Sequence, residues 1–207
     1  MPTSRTTAEP NTGGRRSPNW ENRRQAIIDT SARVFARGGY HGTGIAELCE
    51  ANELGKGALY HYIGSKEELL AGIHDRVMDE VLQSSERVTH ASGTPTERLT
   101  RLGDELLDII ARYPDHVWVF LHEFPALTGE RAEVFHGRRR TYEQTVESIL
   151  AEGIAAGEFR NVDPRLTSLA WLGMHNYTYL WLKPDGNLSA HEVASRFADL
   201  FIRGIAS

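Results

Sequence analysis

Between Thr43 and Glu68 the chain reads TGIAELCEANELGKGALYHYIGSKEE, and its polar residues are of types that meet nucleic acid. Gly57 and Ala58 carry almost no side chain, so a short helix beginning with them brings its backbone close to base edges in a major groove about 12 Å wide. Lys56 and Lys66 have the charge to neutralise phosphates. Thr43, with Gly44 beside it, and Tyr60 and Tyr62 offer hydroxyls to phosphate oxygens, while His61 suits either task. Arg23 and Arg24 are further phosphate candidates, and Arg5, Arg15 and Arg16 form a basic arm of the kind that follows a backbone or enters a minor groove. Catalytic signatures fail by comparison. Gly42-Thr43-Gly44 runs on to Glu47 where a dinucleotide fingerprint needs glycine, and Gly55-Lys56-Gly57 lacks the earlier glycine and the Ser/Thr of a phosphate-binding loop. His122-Glu123 has no second histidine four residues on, and Cys49 has no nearby histidine to activate it. No catalytic residue, metal set or cofactor is expected.

These residues need helices to position them. Apolar residues at helical spacing from Trp20 to Arg37 (Ile27, Ile28, Val34, Phe35) predict a first helix, stopped by Gly38-Gly39. Thr43 is expected to cap a short helix through Ile45, Ala46, Leu48 and Cys49; a turn at Asn52 to Gly55 follows, then a second short helix from Lys56 to Ile63. Two short helices and a tight turn in about twenty residues make a helix-turn-helix pattern. Ser65 and Glu68 have capping-box spacing and open a helix to about Val88; Ser92 to Pro95 breaks it, and Leu99 to Ile110 mark the next, ending near Tyr113-Pro114. Further helices are expected near 115–124, 129–157, 163–181 and 189–204, punctuated by Pro125, Gly157, Asp163-Pro164 and Pro184-Asp185-Gly186. No run alternates with period two for long, so the fold class is all-α.

The residues Thr43, Ile45-Ala46, Leu54, Lys56 to Tyr62 and Ser65 to Leu69 resemble, in order and spacing, the DNA-binding head of TetR-type regulators. Two positions depart from that pattern: Gly55 stands where Ser or Thr usually caps the recognition helix, and Ile63 where Phe is usual. The resemblance implies a three-helix head with Thr43 and Lys66 at the DNA and a helical bundle behind it that binds ligand and dimerises. A second stretch, TYLWLKPDGNLSAHEVASRFADLFIRGI, is similar to the C-terminus of the acyl-CoA-responsive repressors of steroid and fatty-acid catabolism in that family, through Trp181, Lys183, Pro184, Gly186, Leu188 and Ser189. Leu180 replaces an arginine common there, leaving Arg138, Arg139 and Arg140 as the alternative cations, against a reading of that run as a solvated face.

Length and charge fit this division. The 207 residues carry a net charge of −5 and one cysteine, which excludes a disulfide framework or a four-thiolate zinc fold. No stretch of 18 apolar residues and no secretory signal is found, so a cytoplasmic protein is expected. Up to Gly64 there are eight Lys and Arg against six acids, and beyond it fifteen against twenty-two: a basic head and an acidic body. The expected domains are an arm at 1–18, a DNA-binding head at 19–64, and a ligand-binding and dimerisation body at 65–207. The body is rich in aromatics, and Tyr113, Trp118, Phe120, Leu121, Phe124, Tyr142, Trp171, His175 and Tyr179 are the candidate ligand contacts. Leu166, Leu169 and Ala170 on one helix, with Val193, Phe197, Leu200 and Phe201 on the last, form stripes suited to a four-helix dimer interface. Such a dimer sets two recognition helices about one DNA turn (~34 Å) apart, so the operator is expected to be a near-palindrome. The resulting expectation is a homodimeric repressor released from its operator by a small hydrophobic effector, with an acyl-CoA thioester as one class. A free hydrophobic or aromatic effector of an efflux or secondary-metabolism regulator is the alternative, and a thioester-processing enzyme is a distant one.

Overall fold

A computed structural model describes residues 17–183 and 186–207. Most of the arm expected at 1–18, with Arg5, Arg15 and Arg16, and the Pro184-Asp185 punctuation lie outside the described residues. Among the described residues the chain is helical throughout, with one isolated bridge between Phe159 and Ala206. The head comprises α1 (Pro18–Gly38), α2 (Ile45–Ala51) and α3 (Lys56–Ile63). The body comprises α4 (Lys66–His90), α5 (Pro95–Arg112), α6 (Pro114–His122), α7 (Gly129–Ala155), α8 (Pro164–Asn176) and α9 (Ala190–Ile205), with single 3₁₀ turns at Phe124–Ala126 and Tyr177–Leu180. No described helix is long and apolar enough to cross a membrane.

Helix ends follow local chemistry. Ser17 caps α1 ahead of Pro18, and Gly39 ends it with a positive φ of 72° that favours glycine. Thr94 with Glu97, and Ser189 with Glu192, form complete capping boxes for α5 and α9. Three expectations are corrected. Thr43 does not cap α2; Gly44 holds that position, and the Thr43 hydroxyl donates instead to the Gly39 carbonyl at 2.8 Å. Ser65 caps α4 alone, because the Glu68 carboxylate accepts from Arg131 at 2.8 Å rather than folding back on the cap. The helix expected over 163–181 ends at Asn176, where the buried Thr178 hydroxyl donates to the His175 carbonyl and the chain tightens into a 3₁₀ turn.

Two apolar cores meet at α4, α6 and α7. One joins Ile27, Ile28 and Phe35 of α1 to Leu48, Leu59 and Ile63, and also takes in Leu69, Leu70 and Ile73 from the first turns of α4, Val119 of α6 and Phe135 of α7. The other fills the bundle between α4, α5, α7, α8 and α9. The head core therefore extends into the body, and α6 contributes to both.

Candidate nucleic-acid interface and ligand cavity

The outward face of α3 is small and polar. Lys56, Gly57, Ala58 and His61 are exposed, Tyr60 and Tyr62 are half-buried, and Leu59 and Ile63 anchor the helix in the head core. A Cβ added at Gly57 would meet nothing within 4 Å, so this surface is open to close approach by another backbone. Gly55 gives α3 no side-chain cap, which leaves its first-turn N–H groups available to an anion. The helix is held from behind: the Trp20 indole donates to His61 Nε2 at 3.3 Å, and its ring packs on Tyr62 with centroids 5.6 Å apart.

The turn before α3 is pinned by a residue absent from the sequence-based candidates. Asn52 is buried, and its carboxamide N–H groups donate to Ser31 Oγ at 3.2 Å and to the Leu48 carbonyl at 2.8 Å. A polar residue following a short amphipathic helix was the available signal. Glu53 then takes a left-handed φ of 53° to complete the turn.

Other expected DNA contacts sit differently. Thr43 is 2% exposed and its hydroxyl is already engaged, so it is buried inside the head. Lys66 is half-buried; its ammonium donates to the Tyr40 carbonyl at 2.5 Å and stands 4.3 Å from the Tyr40 ring centre, tying α4 to the loop before α2. Arg24 runs along α4, with Nη2 within 3.5 Å of the Cβ position of Gly72. Arg23 is exposed and donates to the Asn52 carbonyl at 3.3 Å. Gly44 is exposed, beside the buried Thr43.

In the body, a narrow cleft, partly open to solvent, lies between α4, α5, α6, α7 and α8. Its walls are mainly aliphatic: Val77, Met78 and Val81 from α4, Leu106, Ile109 and Ile110 from α5, Val117 from α6 and Leu172 from α8. Of the expected ligand contacts, Phe120, Leu121 and Tyr142 line it. Burial pushes the Tyr142 phenol up, so it stays protonated. The polar lining comes from Arg139 and Glu143 of α7 and Asn176 at the end of α8.

The remaining aromatic candidates do other work. Tyr113 accepts from Arg76 at 2.8 Å, Trp118 stacks on His122 at 4.5 Å, and Phe124 stacks on Phe135 at 5.7 Å. Tyr179 bonds His122 through its hydroxyl at 3.1 Å. Trp171 and His175 pack against α5 and α9 with ring centres 4.1 Å apart; Gly103 makes room for them, since a Cβ there would lie 2.7 Å from His175 Nε2. Burial pushes the His175 imidazole down to about 4, and it does the same to His74 of α4, which is caged by Phe120 and Phe135. Among the described residues no cluster of three or more His, Cys, Asp or Glu is placed to hold a metal ion.

Helix α6 faces both sites. Val117, Phe120 and Leu121 look into the cleft, while His116, 5% exposed, bonds Asp29 of α1 at 3.0 Å. Burial raises the Asp29 pKa, but hydrogen bonds from His116 and Gln25 outweigh it and hold the carboxyl below its usual range. Glu123, just past α6, accepts from the Tyr40 backbone N–H at 3.1 Å.

Elsewhere on the body, Leu166, Leu169 and Ala170 of α8 and Leu200 of α9 are exposed, and Phe197 and Phe201 of α9 are half-buried. Tyr177, Leu180 and Trp181, not among the candidates, enlarge this apolar face. Val193 does not belong to it: at 2% exposure it is part of the protomer's own core.

Comparison with known proteins places this arrangement. Residues 27–73 match the family model of bacterial regulatory proteins of the tetR family, and residues 92–205 match that of the tetracyclin repressor-like C-terminal domain. The repressor KstR2 of Mycolicibacterium smegmatis is 25% identical over 188 residues, covering 88% of this chain and 90% of its own. PfmR, a TetR family transcriptional regulator of Thermus thermophilus, superposes with a TM-score of 0.80 at 31% identity, over 86% of this chain and 97% of its own. AibR, solved in complex with isovaleryl coenzyme A and operator DNA, does so with a TM-score of 0.78 at 32% identity, over 86% and 97%.

Proposed function

Because the chain belongs to the TetR family of helix-turn-helix DNA-binding transcriptional regulators, and is not an enzyme, we propose that it is a homodimeric repressor whose operator binding is relieved by an acyl thioester seated in the body cleft. The division of labour is a DNA-binding head at 19–64 and a ligand-binding and dimerisation body at 65–207. The open face of α3, with Lys56, Gly57, Ala58, Tyr60, His61 and Tyr62, reads the operator. Arg23 supports it at phosphates.

The observation that carries the mechanism is the double engagement of α6. Its Val117, Phe120 and Leu121 face the cleft, and its other side holds α1 through His116–Asp29 and, by way of Glu123, the Tyr40 loop. A ligand that wedges α6 therefore shifts the head it grips. Such coupling requires the ligand to bind the released state more tightly, by about 1 to 3 kcal/mol in typical allosteric proteins. The acyl class is supported by the aliphatic cleft walls and by the relatedness to AibR, which was solved with an acyl-CoA. The dimer is supported by the large apolar side chains exposed on α8, the 3₁₀ turn after it and α9: Leu166, Leu169, Tyr177, Leu180, Trp181 and Leu200.

The test is a salt-controlled titration of the full chain against the DNA upstream of its own gene, with and without a panel of acyl-CoA thioesters. Specific binding abolished by one member is the expected result. Binding unaffected by saturation with every member overturns the acyl-effector reading, and a monomeric mass in sedimentation overturns the dimer.

A further inference from the structure

The polar lining of the cleft is Arg139, Glu143 and Asn176, and its charge is balanced. Arg139 and Glu143 lie one turn apart on α7 with Nη2 and Oε1 3.8 Å apart, and the Arg139 guanidinium sits 5.8 and 5.7 Å from the ring centres of Phe124 and Phe135. The neighbouring arginines are committed: Arg138 to Asp75 at 2.8 Å and to Asp79, and Arg140 to Glu147 at 2.9 Å. Glu143 is also within 3.4 Å of Arg140. The charged lining of the cleft is therefore one guanidinium, Arg139, against one carboxylate, Glu143, and it offers no surplus positive charge.

An apolar chain lying along the aliphatic walls must place its terminal group here. A carboxylate would set a second negative charge beside Glu143, whose side chain is only 20% exposed, where repulsion is poorly screened. A neutral acyl derivative brings a carbonyl that accepts from the Arg139 guanidinium or the Asn176 carboxamide and leaves the Arg139–Glu143 pair intact. An amide N–H beyond that carbonyl finds its acceptor in Glu143.

We infer that Glu143 makes the cleft selective for neutral acyl derivatives, thioesters or amides, against the free acids of the same chain. The inference rests on the acyl-effector reading above and assigns its discrimination to one residue. It makes the protein report activated acyl groups while ignoring the pool of unactivated acids, so its effector comes from an acid-activating reaction.

The experiment compares thermal shifts of the full chain with N-acetylcysteamine thioesters from hexanoyl to decanoyl and with the matching fatty acids, at equal concentration. The short neutral thiol is chosen so that coenzyme A phosphates contribute nothing. In the native protein a thioester is expected to bind on the order of tenfold or more tighter than its acid. Glu143→Gln should admit the acid and close most of that gap, whereas Glu143→Asp, which keeps the charge, should preserve it. Equal binding of acid and thioester by the native chain overturns the inference and leaves the acyl-effector reading standing, as does a folded Glu143→Gln protein that still rejects the acid. If neither ligand binds at any chain length, the acyl-effector reading and the inference both fall. Should Glu143→Gln not fold, the native comparison and Glu143→Asp decide the matter.

Discussion

Buried polar groups in the head and in the body are treated differently. In the head, Ser31, Thr43 and Asn52 are buried and each is hydrogen-bonded: Asn52 to Ser31 and the Leu48 carbonyl, Thr43 to the Gly39 carbonyl. In the body, Ser85, Ser168 and Thr178 are likewise buried and bonded to backbone carbonyls, but His74 Nε2, Arg76 Nε and Arg98 Nε are buried without partners among the described residues. A saturated network holds one geometry, which suits a surface that must match successive grooves. The unpartnered nitrogens of the body sit on α4 and α5, two of the helices that also wall the cleft, and lose no hydrogen bond of their own when those helices shift. The head is built to be rigid and the body to yield.

Acid should strike the body hardest. His74 and His175 are both body residues, and burial holds each near 4 in the folded state against about 6.5 in the unfolded chain. The folded protein keeps both neutral while the unfolded chain takes up protons, so stability is full above about pH 6.5 and falls as pH drops toward 4. Each histidine is expected to cost about 3 kcal/mol over that window. Urea denaturation at pH 7.5, 6 and 5 checks this, with hydrogen exchange to show α4 and α8 opening before α1 to α3. A flat stability between pH 7.5 and 5 would sink the claim that both imidazoles are neutral and buried.

The next contrast exchanges the two kinds of polar group. Asn52→Ala removes two hydrogen bonds and strands Ser31, and should cost about 2 kcal/mol with a parallel loss of operator affinity. His74→Phe removes the unpartnered Nε2 together with the Nδ1 bond to the Leu70 carbonyl, keeps a ring in the aromatic cage, and should change stability by less than about 1 kcal/mol. Thermal unfolding of the two variants side by side decides it. Similar losses would erase the distinction between a saturated head and a yielding body.

How far each region was legible in the sequence follows from the same contrast. The helix-turn-helix is written in local signals: Gly39 ends α1, glycines flank α3, and short apolar stripes mark the buried faces, so the order and extent of the helices emerge from near neighbours. The cleft is assembled from five helices, and its aliphatic lining is of the same residue types as the core. Aromatic density was a misleading guide, because rings such as Trp118, Trp171 and Phe135 are held by histidines a turn away or across a helix contact. Val193 lies on the same helix as Leu200, yet only packing reveals that one faces α5 and the other faces out. The body's polar determinants, Arg139 and Glu143, sat within a charge run whose members only the fold separates into committed and cleft-facing.

If α6 transmits between the two regions, its grip on α1 can be loosened without touching either site. Asp29→Asn keeps the shape of the residue and weakens the bond to His116. Operator affinity without ligand should stay close to native, while the ligand-induced loss should shrink by about 1 kcal/mol, within the range that mutations between coupled sites produce. Operator titrations at zero and saturating acyl-CoA measure both quantities. An unchanged ligand response would remove His116–Asp29 from the path and leave the Glu123–Tyr40 contact to carry it.

The smallest expected effect separates two lysines that look alike in sequence. Lys56 is exposed at the start of α3, whereas the Lys66 ammonium is spent on the Tyr40 carbonyl and ring. Lys56→Ala should lower the slope of log affinity against log salt by about one unit, as loss of one phosphate contact does. Lys66→Ala should leave that slope unchanged and lower Tm instead, since it frees the loop that sets α2. The reverse pattern would mean that the Lys66 ammonium leaves Tyr40 for a phosphate when DNA arrives. The head would then not be rigid at its junction with α4, and the contrast between the two regions would hold only for α1 to α3.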